Sequence, residues 1–293
     1  MPEPASPTVR RRRLAAELRR LRERADLTGD QVAEQVGWSA SKLSRIENAH
    51  TGPRPAEIKR LLSLYGVEGS TADALVALAQ EAKDLKGWWE TQTIPSEYAA
   101  LIGMEAEARS AWSWEPLIIP GLLQTGEYAH AVTEGMLEHI DPVSPAETRR
   151  RVQARLTRQQ VLTRENPLEL SAILDESVLF RRFGNPNVMQ MQLDRLLELM
   201  GHDNITLRIL PLDGRHPIGT GAFVLLQFDD VHDVTHHDVV YLEHLTGGRY
   251  VDEESETFTY RRAFARLGEF ALDEIESRAV ICSARDKWLV LDL

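Results

Sequence analysis

Cysteine is nearly absent. Cys282 is the only one in 293 residues, which excludes an internal disulfide and leaves no cysteine-rich zinc site. No apolar run approaches the ~18 residues that mark a membrane-spanning helix, so no such helix is expected. The opening MPEPASPTVRRRR has no apolar stretch after its arginines and does not read as a secretory signal. The expectation is a cytoplasmic protein without membrane contact. Also missing are the GxSxG, P-loop and HExxH patterns of nucleophile elbows, nucleotide cradles and zinc proteases. No catalytic residue is assigned, no cofactor is called for, and the chain is not read as an enzyme.

What is present is an uneven charge. The whole chain carries −11, yet residues 1–60 hold 13 Lys/Arg against 8 Asp/Glu and the remainder is strongly acidic. A basic head on an acidic body suggests an anionic partner for the head alone. From charge by itself, a solvated helix with a basic tail fits equally. The length exceeds one small core, so two domains are expected.

Residues 14–25, LAAELRRLRERA, set Leu14, Leu18 and Leu21 on one stripe and predict an amphipathic helix. Thr28 with Gln31 has the form of a capping box. It opens a brief helix with Val32, Ala33 and Val36 inward, stopped by Gly37. Ser39 is placed to cap the next helix, which starts almost at once. Two short helices joined by so tight a turn must cross steeply, as in a helix-turn-helix. A further helix begins at Pro55, with Glu57 in its first turn and Ile58, Leu61, Leu62 and Tyr65 inward.

The run LTGDQVAEQVGWSASKLSRIENAHTGPRP resembles the helix-turn-helix of the Xre type, also called Cro/C1, over roughly residues 14–66. The resemblance implies that the helix at 39–48 reads DNA in the major groove, its Leu43 and Ile46 facing the core. Position by position it places Ala40, Ser41, Lys42 and Arg45 at base edges. Arg45 would form a bidentate bond to guanine, Ser41 would bond either kind of base, and Ala40 would meet a thymine methyl. Lys42 fits a phosphate as well as a base. Thr28, Ser39 and Arg54 fall at phosphate contacts, while Asp30 departs from the neutral residues the family favours there. Arg22 and Glu47 fall at a structural ion pair. The arginines at 10–13 fit either a phosphate-tracking arm or a solvated tail.

Beyond 67 the pattern changes. Residues 70–87 predict a connecting helix, followed by GWWE and a Pro- and Gly-containing segment. PLIIPGLLQ (116–124) reads as a short buried strand, and TGEYAHAVTEGML as a capped helix. Residues 144–164 predict a long basic helix with a ridge of Arg149, Arg150, Arg151, Arg155 and Arg158, taken as a solvated face. LELSAILDES predicts a strand and VMQMQLDRLLELMG a helix. ITLRILPL, AFVLLQF, DVVYLEHL and GRYVD follow as strands, and EESETFTYRRAFARLGEFALDEIES as one more helix. The expected fold is multidomain: an all-α Cro/C1-type head at 10–67, a helical connector at 68–95, and an α+β domain at 96–285 around one mainly antiparallel sheet.

The body motifs IIPGLLQTGEYA, RLTRQQVL, LDES and QLDRLLEL resemble the C-terminal domain of actinomycete Xre-type regulators, WhiJ-like and sometimes described as antitoxin-like. That domain brings no settled biochemical function with it; the resemblance implies protein-protein control. His232, His236, His237 and His244 lie close in sequence, but adjacent residues of a strand face opposite sides, so they read as loop histidines and no metal site is assigned. LDES reads as a capped helix start, and the glycines of PIGTGAF precede a strand and cradle no phosphate. The overall expectation is a transcription factor on a double-stranded DNA operator, acting as a homodimer. A small partner protein and a small-molecule effector are further candidates for its body. The alternative is an antitoxin-like protein that chiefly holds a small protein, with DNA binding as autoregulation.

Overall fold

The computed structural model describes residues 9–84, 88–91, 94, 96–137, 144–229, 238–245 and 247–290. They divide into two compact units, Met1–Glu107 with Phe228–His237, and Ala108–Gln227 with Asp238–Leu293. Among the described residues no helix is long and apolar enough to cross a membrane.

The first unit is helical. Helices α1 (Val9–Arg24), α2 (Gly29–Gln35), α3 (Ala40–Glu47), α4 (Pro55–Leu64) and α5 (Ser70–Asp84) enclose one core. Leu14, Leu18, Val32, Leu43, Ile46, Ile58, Leu61 and Leu62 are all buried in it. Helix α5, placed in the connector by its sequence, lays Leu75 and Leu78 into this same core. A further helix, α6 (Ser96–Glu107), belongs to this unit and has no counterpart in the sequence reading, which saw only a Pro- and Gly-containing segment there. The arginines at 10–13 are neither arm nor tail: they are helical, in α1. Arg10 pairs with Glu107 at 3.2 Å, and Arg13, nearly buried, donates to the Asp229 carbonyl at 3.3 Å. Partners so distant in sequence give the local pattern no sign of a helix.

The second unit is built on six strands: β1 (Ser110–Glu115), β2 (Glu169–Asp175), β3 (Ile205–Leu210), β4 (Phe223–Gln227), β5 (Val239–His244) and β6 (Gly247–Val251). Their order is β3-β2-β1-β4-β5-β6. The β1–β2 and β2–β3 pairs are parallel, and the remaining three are antiparallel. The sheet is therefore mixed, where a mainly antiparallel one was expected. Its parallel half arises because α7 (Gly126–Leu137) and α8 (Pro145–Arg158) connect β1 to β2, and α9 (Pro186–Leu199) connects β2 to β3.

Residues 116–124 form no strand. Pro116 and Pro120 lack the N–H a ladder needs, and side chains satisfy the segment instead. The Ile119 N–H donates to the Tyr128 hydroxyl at 3.3 Å, and the Gln124 amide donates to the Ile119 carbonyl at 2.6 Å. The strand lies just before, in SAWSWE. The last predicted helix is two, α10 (Glu254–Phe270) and α11 (Glu274–Val290). Arg208 of β3 takes the carbonyls of Gly268, Ala271 and Leu272, and Asp273 then caps α11 through the Glu276 N–H at 2.8 Å. One sheet face packs Trp114, Phe223 and Leu225 against Phe264 and Leu267 of α10.

On β1, burial pushes Glu115 up to about 8; nearby Glu243 adds to the rise, and Arg158 and Arg155 oppose it. An unfolded-chain glutamate titrates near ~4.3, so the folded protein retains a proton that the unfolded chain releases. The resulting stability is full below the unfolded value and is lost as pH rises through the folded one. Glu115→Gln is expected to flatten the decline in stability toward alkaline pH, read from urea unfolding on both sides of the transition. An unchanged decline would contradict this origin.

Candidate nucleic-acid interface

The interface is built from local caps. The Thr28 hydroxyl accepts the Gln31 N–H at 3.3 Å, and the Gln31 side chain accepts the Thr28 N–H at 2.8 Å, which opens α2. Val36 ends it, and Gly37 follows at φ +61°, a left-handed conformation that favours glycine. The Ser39 hydroxyl accepts the Lys42 N–H at 3.2 Å and caps the start of α3. As acceptors in these caps, Thr28 and Ser39 each keep a hydroxyl proton to donate outward.

Helix α3 is fixed from behind. Leu43 and Ile46 are buried, and Arg22 clamps the helix end. Its guanidinium donates to both Glu47 carboxylate oxygens at 2.8 and 3.1 Å, and to the Leu27 carbonyl at 2.8 Å. One side chain thus ties α1, the loop before α2 and the end of α3 together. The hydrogen bond to Glu47 raises the Arg22 pKa further despite partial desolvation. The Tyr65 hydroxyl is also raised, by burial and then by the charge of Glu47.

The outer face carries Ala40, Ser41, Ser44, Arg45 and Asn48, all of them exposed. Ser44 and Asn48 are not among the base contacts that the resemblance implies, although their spacing from Ser41 puts them on the same face. Asn48 donates to the Ser44 carbonyl at 2.8 Å and to its hydroxyl at 3.2 Å. Between α1, the start of α2 and α3 lies a notch of about 270 Å³, lined in part by Arg19, Asp30, Ser44 and Asn48. Asp30 stands at this rim, where its carboxylate disfavours an approaching phosphate.

Lys42 does not project freely. Its ammonium pairs with Glu57 of α4 and lies 4.1 Å from the centre of the Trp38 ring. Glu57 also accepts the Arg54 N–H at 2.7 Å, while Arg54 itself is exposed. Partial burial raises the Glu57 pKa, but the Arg54 N–H and the Lys42 ammonium outweigh it, so the net shift is downward. The carboxylate is therefore charged at neutral pH and holds Lys42 back.

In the second unit, Arg149–Arg158 are less of a free ridge than their sequence suggests. Arg150 and Arg151 pair with Glu147, Arg155 donates to Gln124 at 2.8 Å, and Arg158 is buried. Asp175 of LDES caps a single turn through the Ser177 N–H at 2.9 Å. His232, His236 and His237 lie outside the described residues, and His244 ends β5. Among the described residues no three His, Cys, Asp or Glu side chains group as metal ligands.

Comparison with known proteins also distinguishes two parts of the chain. Residues 13–75 match the helix-turn-helix domain family, and residues 98–283 match a family described as a domain of unknown function, DUF5753. The chain belongs to the DUF5753 family. In this DUF5753 protein, 77 residues are 52% identical to the HTH-type transcriptional repressor RghR of Bacillus subtilis (strain 168). They make up 26% of this chain and 57% of that repressor. No solved structure matches.

Proposed function

We propose that this DUF5753 protein is a sequence-specific DNA-binding transcriptional regulator whose reading element is α3. The observation that supports it most is the exposed face of Ala40, Ser41 and Arg45 on a helix held from behind by Leu43, Ile46 and the Arg22–Glu47 clamp. A rigid helix with short polar side chains and one long cation suits entry into the major groove. Arg45 reads guanine, and Ser41 and Ala40 read their neighbours. Thr28, Ser39 and Arg54 bind phosphate. Lys42 joins them once it exchanges Glu57 for the backbone. The named repressor relative supports the same reading for the head. The protein acts in the cytoplasm as a homodimer, because one head offers little surface for tight specific binding, and its C-terminal domain controls its activity.

The test is binding of purified protein to the duplex upstream of its own gene and to random duplex, across salt. Strong preference for the upstream duplex supports the reading; equal weak binding to both counts against it. In the same assay Glu57→Gln is expected to strengthen random-duplex binding and to steepen the salt dependence by about one phosphate contact, because Lys42 is released. The amide oxygen this substitution introduces would still accept the Arg54 N–H. An unchanged salt slope would show that Lys42 never meets the backbone.

A second reading follows the likeness to WhiJ-like, antitoxin-like regulators of actinomycetes: the main act is to hold a small partner protein, and DNA binding is autoregulation. Phe258 and Ile275, apolar side chains exposed at 56% and 82% in the C-terminal domain, favour it. Purification from the native host separates the two readings, since only this one expects a small protein at fixed stoichiometry.

A further inference from the structure

On the α10 side of the sheet, β5, β6 and the loop before β4 enclose a groove of about 460 Å³. That is within the ~300–1,000 Å³ common for small-molecule sites. Leu242 and Val251 form its floor, Tyr260 and Ala263 of α10 one wall, and Ile218 the other. The walls are anchored. The Trp114 indole N–H donates to the Thr220 carbonyl at 3.3 Å and holds the loop, and the Tyr260 ring packs edge-on against buried Phe223 at 5.1 Å. The glycine-bearing segment PIGTGAF thereby supplies a wall of an apolar site.

Two charges line this groove. The Arg249 guanidinium of β6 makes no hydrogen bond or ion pair among the described residues, and neither does the carboxylate of Glu256 on α10. A cation beside an apolar floor selects an anionic head with an apolar body. Glu256 on the same rim disfavours a second negative charge.

We propose that this groove binds a small monocarboxylate with an aromatic or branched apolar body, its carboxylate on Arg249. Phosphate monoesters are disfavoured by their second negative charge, which faces Glu256. The body lies along Leu242 and Val251, between Ile218 and Ala263. Such a ligand is a candidate for the input that sets DNA affinity. That consequence, unlike the site, rests on the reading of the protein as a DNA-binding regulator.

The test is calorimetric titration of the full chain with hydrocinnamate, phenylbutyrate and indole acetate, against hydrocinnamyl alcohol and phenyl phosphate. At least one acid is expected to bind once per chain, about tenfold or more tighter than the alcohol and the phosphate. Arg249→Gln, a change at an exposed side chain, is expected to erase the difference between acid and alcohol. Ala263→Trp is expected to fill the groove and abolish binding of both. If none of the acids binds in the millimolar range, or if Arg249→Gln leaves the acid-to-alcohol ratio unchanged, the proposal is overturned. The affinity for the upstream duplex is then measured with and without the bound acid. No change there would remove the regulatory role and leave the binding site standing, whereas absence of any DNA binding would count against the function of the head alone.

Discussion

Arg45→Ala is expected to lose most of the preference for the upstream duplex while leaving the fold untouched. A bidentate arginine–guanine contact is worth about 1–3 kcal/mol of discrimination, or roughly five- to 150-fold in relative affinity. Arg45 is exposed on the outer face of α3 and packs into no core, so the thermal midpoint should not move. The salt slope should stay near the wild-type value, because a base contact releases few counterions. Titration of wild type and variant against upstream and random duplexes checks all three. If upstream and random affinities fall together with a shallower slope, Arg45 holds phosphate and another side chain reads the base.

Leu43→Ala, on the opposite face of the same helix, is expected to behave in the reverse way. Leu43 is 1% exposed and belongs to the core shared by the first five helices. Truncating a buried leucine costs about 2–5 kcal/mol from lost burial and the cavity left behind. In a helical unit of this size that lowers the melting midpoint by about 10 °C or more. Calorimetry should show the loss, and DNA binding should fall for every sequence alike as the folded fraction of the head falls. A variant that melts like wild type would mean that α3 is not anchored through Leu43.

Which parts of this structure could be read from the residues follows from the range of the forces involved. The Thr28–Gln31 box, the Ser39 cap, the turn at Gly37 and the start at Pro55 each involve groups within three residues of one another. Such contacts leave a local signature, which is why the helix-turn-helix was legible down to its caps. The arginines at 10–13 were misread because Glu107 and Asp229 lie far along the chain. Lys42 looked free because nothing near it in sequence announces Glu57, fifteen residues on. In the second unit, most strands and helices were legible from alternation and periodicity, but their pairing was not. The strand SAWSWE was overlooked in favour of the apolar run after it, whose two prolines argue for a loop. The parallel half of the sheet depends on the crossover through α7 and α8, and the break between α10 and α11 on Arg208 of a strand 60 residues away. The groove at Arg249 had no sequence motif, because four elements form it: the loop before β4, β5, β6 and α10.

Guanine methylation interference on the upstream duplex tests most directly whether α3 enters the major groove. Methylation at guanine N7 removes the major-groove acceptor that a bidentate arginine uses and places a methyl group in its way. With wild-type protein, a few methylated guanines should abolish binding, in two clusters about one helical turn apart. With Arg45→Ala, interference should vanish at one guanine in each cluster and persist elsewhere. No interference at any guanine, or an identical pattern for both proteins, would contradict the assignment of α3 as the reading helix with Arg45 as its guanine contact.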